Sequence, residues 1–191
     1  MFPVKGLILD TSSNSSFALL AEGALPLASL SLGQGPELSK NLGSLLHEFL
    51  KDTPINFIAV GIGPGSYTGI RVGAALAQAL AFGWKIPLFS FCSLLVFMPP
   101  KEAGPSAVLL DSGACFKETT LSFLSFKDSL KELEELTLFS PHPEKLQPKI
   151  NKPVLQAELN LPFLAAYCCE QAPLKGGSAL NPLPFIYSSL S

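Results

Sequence analysis

AVGIGPGSYTGIRVG, residues 59–73, is the stretch on which the reading of this chain turns. Five glycines and one proline sit among apolar residues, directly ahead of the alanine-rich run AALAQALAFG at 74–83. Ordering a glycine loses more conformational freedom than ordering any other residue, so such a density needs a reason. Two reasons stand open: a backbone that must close on a phosphate, or a bare surface that another chain presses against. The residues before the loop, NFIAVGIG at 56–63, read as a buried strand. Those after it read as a helix from Tyr67 to Phe82, stopped by Gly83.

Strand, glycine-rich turn and helix N-terminus together make a general anion site, because free N–H groups and the positive helix end converge there. The specific phosphate motifs are absent. No Gly-Lys-Ser or Gly-Lys-Thr occurs, and Ser66 follows Gly61 and Gly63 where a dinucleotide fingerprint needs its third glycine. A nucleotide or anion reading therefore rests on geometry alone, with Asp10, Thr11, Gly63, Gly65 and Ser66 as its residues. The helix carries a second pattern. Gly69, Gly73, Ala77 and Ala81 recur every four residues, with Ala74 beside them. A stripe of small side chains lets a backbone come close. It fits a partner helix or the protein's own sheet, while Arg71 and Gln78 argue against a membrane setting.

Working outward, GLILD at 6–10 reads as a short strand, TSSNSS as a polar turn, and FALLAEG at 17–23 as a second strand; ASLSL at 28–32 adds a third. From Pro36 to Lys51 the period becomes helical, with Leu38, Leu42, Leu45, Leu46, Phe49 and Leu50 on one face. His47 lies off that face and reads as solvated. IPLFSF at 86–91 reads as a strand and CSLLVFM at 92–98 as a short helix. PPKEAGPS at 99–106 marks a boundary, dividing the chain into lobes at 1–100 and 101–191. The second lobe opens like the first, with AVLLD at 107–111, the turn SGA, and the longer run CFKETTLSFLSF at 115–126. That echo suggests a duplicated α/β architecture. DSLKELEEL at 128–136 reads as a helix, 140–153 as a proline-broken loop, LPFLAAYCCEQA at 161–172 as a helix, and 181–191 as irregular.

Composition narrows the function. Hydrophobic residues make up 48% and charged residues 15%, against the roughly 25% charged that is usual. That leaves apolar surface for a partner. Net charge is −2, no basic cluster exists, and Arg71 is the sole arginine, so any contact with RNA is indirect. The start, MFPVKGLILD, is too brief in apolar residues for a secretory signal, and no run reaches membrane-helix length. A cytoplasmic protein is expected. Cys92, Cys115, Cys168 and Cys169 form no C-x-x-C pair, which favours reduced thiols. His47 and His142 are too few for a zinc site. Asp10 and Asp111 each end an apolar strand, where a carboxylate can hold a metal or water, or cap a turn. No serine, histidine and acid arrangement stands out, so no catalytic residue is assigned.

LILDTSSNSSFALL followed by GIGPGSYTGIRVGAALAQALA resembles the TsaB (YeaZ) family of tRNA threonylcarbamoyladenosine biosynthesis proteins. Residues 61–73 match its signature G-x-G-P-G-S-[FY]-T-G-x-R-x-G throughout, and Asp10, Thr11 and Ser12 supply its D-T-[ST]. The resemblance covers roughly residues 6–95. It implies an ASKHA (actin-like or RNase H-like) α/β fold of two lobes, the second shortened here. It also implies a non-catalytic subunit that binds and activates TsaD, the larger catalytic homologue, alongside the ATPase TsaE, and that pairs with itself when alone. The chain itself then needs no cofactor or metal; ATP or ADP with magnesium belongs to the complex. The family's pairing surface includes the helix after the glycine loop. With the small-residue spacing, this gives a subunit interface of Leu42, Leu46, Thr68, Gly69, Arg71, Val72, Gly73, Leu76, Ala77 and Leu80. Three departures stand out. Leu38 stands near the place of a histidine that family members commonly carry early in this helix. Asp111 to Glu118 lack the arginine and tyrosine of D-A-R-x-x-E-V-Y. The closing P-x-Y-x-R survives only as Pro184 to Tyr187. The alternative is an enzyme of the same fold, a nucleotide-dependent phosphotransferase or hydrolase with phosphate on the 63–68 loop and magnesium on Asp10. The missing lysine in the loop counts against it.

Overall fold

The structure, a computed structural model, describes residues 4–33, 35–99, 103–110, 112, 114–117, 120–123 and 133–172. Strands β1 (Lys5–Asp10), β2 (Phe17–Glu22) and β3 (Leu25–Ser31) form an antiparallel meander. Strands β4 (Phe57–Gly61) and β5 (Leu88–Phe91) then extend it in parallel, giving the order β3-β2-β1-β4-β5. Such parallel neighbours need a crossover, normally a helix. Helix α1 (Gly35–Leu50) precedes β4, and helix α2 (Tyr67–Trp84) joins β4 to β5.

β1 lies at the centre, and its Leu7, Ile8 and Leu9 are fully buried. Side chains alternate across a strand, so Leu7 and Leu9 share one face. With Ile58, Val60 and Leu88 they form the floor on which Leu38, Leu42, Leu46 and Leu50 of α1 and Ala77 and Ala81 of α2 rest. Each of those leucines contributes about 1.5–3 kcal/mol by leaving water. A further helix, α4 (Leu161–Gln171), meets β1, β2 and β3 through its buried Leu164, Ala165 and Cys168. The lobes therefore do not divide into 1–100 and 101–191. Residues up to Ser93 join α4 in one unit, and Leu94–Asn160 form the other. The apolar face of α4 needs a sheet to cover it, and the chain returns to the first.

In the second unit β6 (Ser106–Leu109), β7 (Ala114–Lys117), β8 (Thr120–Phe123), β9 (Thr137–Ser140) and β10 (Val154–Gln156) follow the order β8-β7-β6-β9-β10. This is the order of the first sheet, again an antiparallel meander extended by two parallel strands. The duplication expected from the two opening hairpins is thus present in the topology. The run 115–126 is not one long strand, since β7 and β8 fold back on each other. Strands β9 and β10 gave no sequence signal because four and three residues are too few for a period. The proline-rich stretch 140–153 holds α3 (Pro143–Leu146) and a 3-10 turn at Gln147–Lys149. Where the first unit joins its parallel strands with an 18-residue helix, the second uses this four-residue one. Leu133–Leu136 form a turn; the rest of the helix expected at 128–136 lies outside the described residues, as do Asp111 and 181–191.

Candidate functional site

The glycine loop is a socket for the end of β1. A Cβ at Gly61 would fall on the Asp10 carboxylate, and one at Gly65 on the Ser12 carbonyl. At Gly69 it would fall on the Thr11 carbonyl, and at Gly73 on the Thr11 hydroxyl. Gly63 has a φ of 96°, which only glycine adopts without strain. The D-T-S turn is held in that socket by hydrogen bonds. Thr11 Oγ1 donates to the Gly69 carbonyl (2.7 Å), and the Ser66 amide donates to the Ser12 carbonyl (2.6 Å). Ser66 also caps α2, its hydroxyl accepting from the Gly69 amide at 3.2 Å. The two motifs legible in the sequence are therefore two halves of one contact.

Asp10 lies beneath this contact and is 3% exposed. Its Oδ1 accepts from the Ser12 amide at 2.7 Å, while Oδ2 has no hydrogen-bond partner. Burial pushes the carboxyl up from its ordinary value, and the neighbouring groups of Ser12 and Ser93 pull it down without offsetting that. Ser93 is spoken for on its other side, accepting from the Gly63 amide at 2.9 Å.

The predicted interface residues separate into two sets. Leu42, Leu46, Gly69, Gly73 and Ala77 are buried within this unit. The small-residue stripe serves the protein's own packing: it admits the D-T-S turn and the sheet, and no partner helix can reach it. Thr68 and Arg71 are exposed, and Val72, Leu76 and Leu80 are partly exposed. The outward face of α2 also carries Tyr67, Ala75, Ala79, Phe82 and Trp84, which the stripe argument missed. Tyr67 is 54%, Phe82 63% and Trp84 45% exposed. Leu45 and Phe49 of α1 are half-buried on the same core cluster as Val72, Leu76 and Leu80. The helix does not stop at Gly83 but runs to Trp84, and Lys85 takes the left-handed conformation with φ 56°.

Beside the socket opens a cavity of about 680 Å³, lined by Thr11, Ser13, Asn14, Ser16, Ser39, Lys40, Ser66 and Thr68 among others. The first turns of α1 and α2 both contribute to it. Of the five residues expected to hold an anion, Thr11 and Ser66 reach this cavity; Asp10, Gly63 and Gly65 do not. Many of its polar groups are already engaged: Thr11 with Gly69, Ser16 with the Ser13 carbonyl, and Ser66 with Gly69. No carboxylate lines it among the described residues.

A family profile described as "TsaD: tRNA N6-adenosine threonylcarbamoyltransferase" matches residues 36–116. The tRNA threonylcarbamoyladenosine biosynthesis protein TsaB of Haemophilus influenzae is 37% identical over 94 residues, covering 46% of this chain and 39% of that protein. TsaB of Escherichia coli is 46% identical over 43 residues, covering 22% of this chain and 19% of its own. The matched stretches thus span well under half of the curated relatives' length. Among solved structures, YeaZ from Pseudomonas aeruginosa superposes with a TM-score of 0.74 at 19% identity, covering 96% of this chain and 99% of that one. At that identity the likeness shows the fold and nothing finer. No helix among the described residues is long and apolar enough to cross a membrane.

Proposed function

We propose that this chain, a relative of the TsaB proteins by sequence and by fold, is a non-catalytic subunit of the tRNA threonylcarbamoyladenosine machinery that docks on a TsaD-like catalytic partner. The observation that carries the reading is the outward face of α2. Tyr67, Ala75, Ala79 and Phe82 lie exposed along it, and α2 contains no acidic residue. A soluble protein normally keeps large apolar groups from clustering on an exposed helix face, and such a face marks an interaction site. Helix α1, which packs beside α2, exposes the polar Glu37, Lys40, Asn41, His47 and Glu48. An apolar centre with a polar rim is the anatomy of a reversible interface.

The TsaE-like ATPase, cytoplasmic location, self-pairing in the absence of a partner, and indirect contact with tRNA belong to the same proposal. Nucleotide and magnesium would enter at the level of the complex, the cavity at the starts of α1 and α2 being the place where this chain could meet a phosphate. The phosphotransferase alternative needs a metal-holding carboxylate facing that cavity, and Asp10 is turned into the core instead. Purified chain is mixed with a TsaD homologue and run on a sizing column. Co-elution is expected; independent elution at micromolar concentrations would sink the proposal.

A further inference from the structure

The outward face of α2 carries one charge. Arg71 is the only arginine in the chain and the only ionisable side chain on α2 besides the phenol of Tyr67. Its guanidinium lies over the Tyr67 ring, 5.0 Å from the centroid, and Nη1 donates to the Tyr67 hydroxyl. The two residues are one turn apart, where helix side chains meet. Tyr67 thus braces the guanidinium in one direction and leaves most of its five donors pointing outward. No carboxylate among the described residues pairs with it, although Lys5, Lys40 and His142 each have an acidic neighbour.

A face that is apolar around a single fixed cation cannot be covered by an apolar partner without stranding that charge. Removing a lone guanidinium from water is unfavourable unless an anion meets it. Arginine and tyrosine are also residue types enriched among the side chains that anchor interfaces. We propose that Arg71, held by Tyr67, clamps a carboxylate on the partner's docking surface, and that this pair sets the register of the complex. The inference rests on the docking role proposed above and specifies the partner's chemistry. It points to a different chain as the occupant. A second copy meeting α2 with α2 would set arginine against arginine and bring no acid from that helix, so any acid would have to reach across from Glu37 or Glu48 of its α1.

Binding of the full chain to a purified TsaD homologue is measured at about 50 and about 500 mM salt, where screening differs strongly. Wild type, Arg71→Met, Arg71→Lys and Tyr67→Phe are compared, with thermal melts to confirm that each is folded. Arg71→Met is expected to weaken binding at least about tenfold and to flatten its salt dependence. Arg71→Lys should lose less affinity and keep the salt dependence. Undiminished binding by Arg71→Met, with the wild-type salt response, would overturn the clamp while leaving the docking role intact. Absence of binding by wild type would overturn the docking role itself, and the clamp with it. A dimer of the chain alone that Arg71→Met dissociates would show that the occupant is a second copy, against the inference.

Discussion

At the scale of the residue, the glycines act by making room. In an open helix position alanine is better than glycine by about 0.5–1 kcal/mol. Gly43 of α1 and Gly83 of α2 have nothing near the place of a Cβ, so alanine at either should stabilise the protein by that amount. Gly69 is the opposite case, since its Cβ would strike the Thr11 carbonyl, a backbone atom that cannot swing away. Gly69→Ala is expected to destabilise by about 1–3 kcal/mol in urea titrations. An increase in stability would refute the socket. Asp10 adds a dependence on pH. Its folded-state value lies above the unfolded one because burial penalises the charge. The folded state therefore holds the proton more tightly, and stability declines as pH rises from about 4 through the folded value. Asp10→Asn should remove that decline; identical pH profiles for variant and wild type would show that the carboxyl is not held in its neutral form.

At the scale of the element, α2 shows what a helical pattern in sequence can and cannot reveal. The four-residue spacing of Gly69, Gly73, Ala77 and Ala81 correctly marks a face that packs closely, but spacing alone does not say against what. The answer is Thr11, 58 positions before Gly69, for the two glycines, and the first sheet for the two alanines, and long-range partners leave no local signal. The exposed face next to it was legible only as what remained. Gly83 misled for a similar reason: nothing crowds it, so the helix passes through at the small cost of its propensity. The amides of Lys85 and Ile86 then close on Phe82 and Ala81 in a Schellman-type ending, with Lys85 in the conformation glycine prefers. Lys85→Gly is expected to stabilise by about 1 kcal/mol. A lowered melting temperature would count against that account of the helix end.

At the scale of the whole molecule, two sheets of one strand order come from halves that share no visible residue repeat. The first half was readable almost strand by strand, because its helices are long and its strands end in marked turns. The second was not, since its crossover shrank to Pro143–Leu146 and its strands to three or four residues. Duplication survived in topology after fading from sequence. The docking role proposed for the outer face of α2 is open to a direct check. Leucine at Gly73 or Ala77 would test the fold, since both are buried. Glutamate at Ala75 and Ala79, both exposed, tests the face. The double variant should keep the wild-type melting temperature and lose at least about tenfold in affinity for a TsaD homologue, because glutamate at 79 would be buried without a partner and glutamate at 75, one turn from Arg71, would occupy the guanidinium. Wild-type affinity in a folded Ala75→Glu, Ala79→Glu protein would contradict the account.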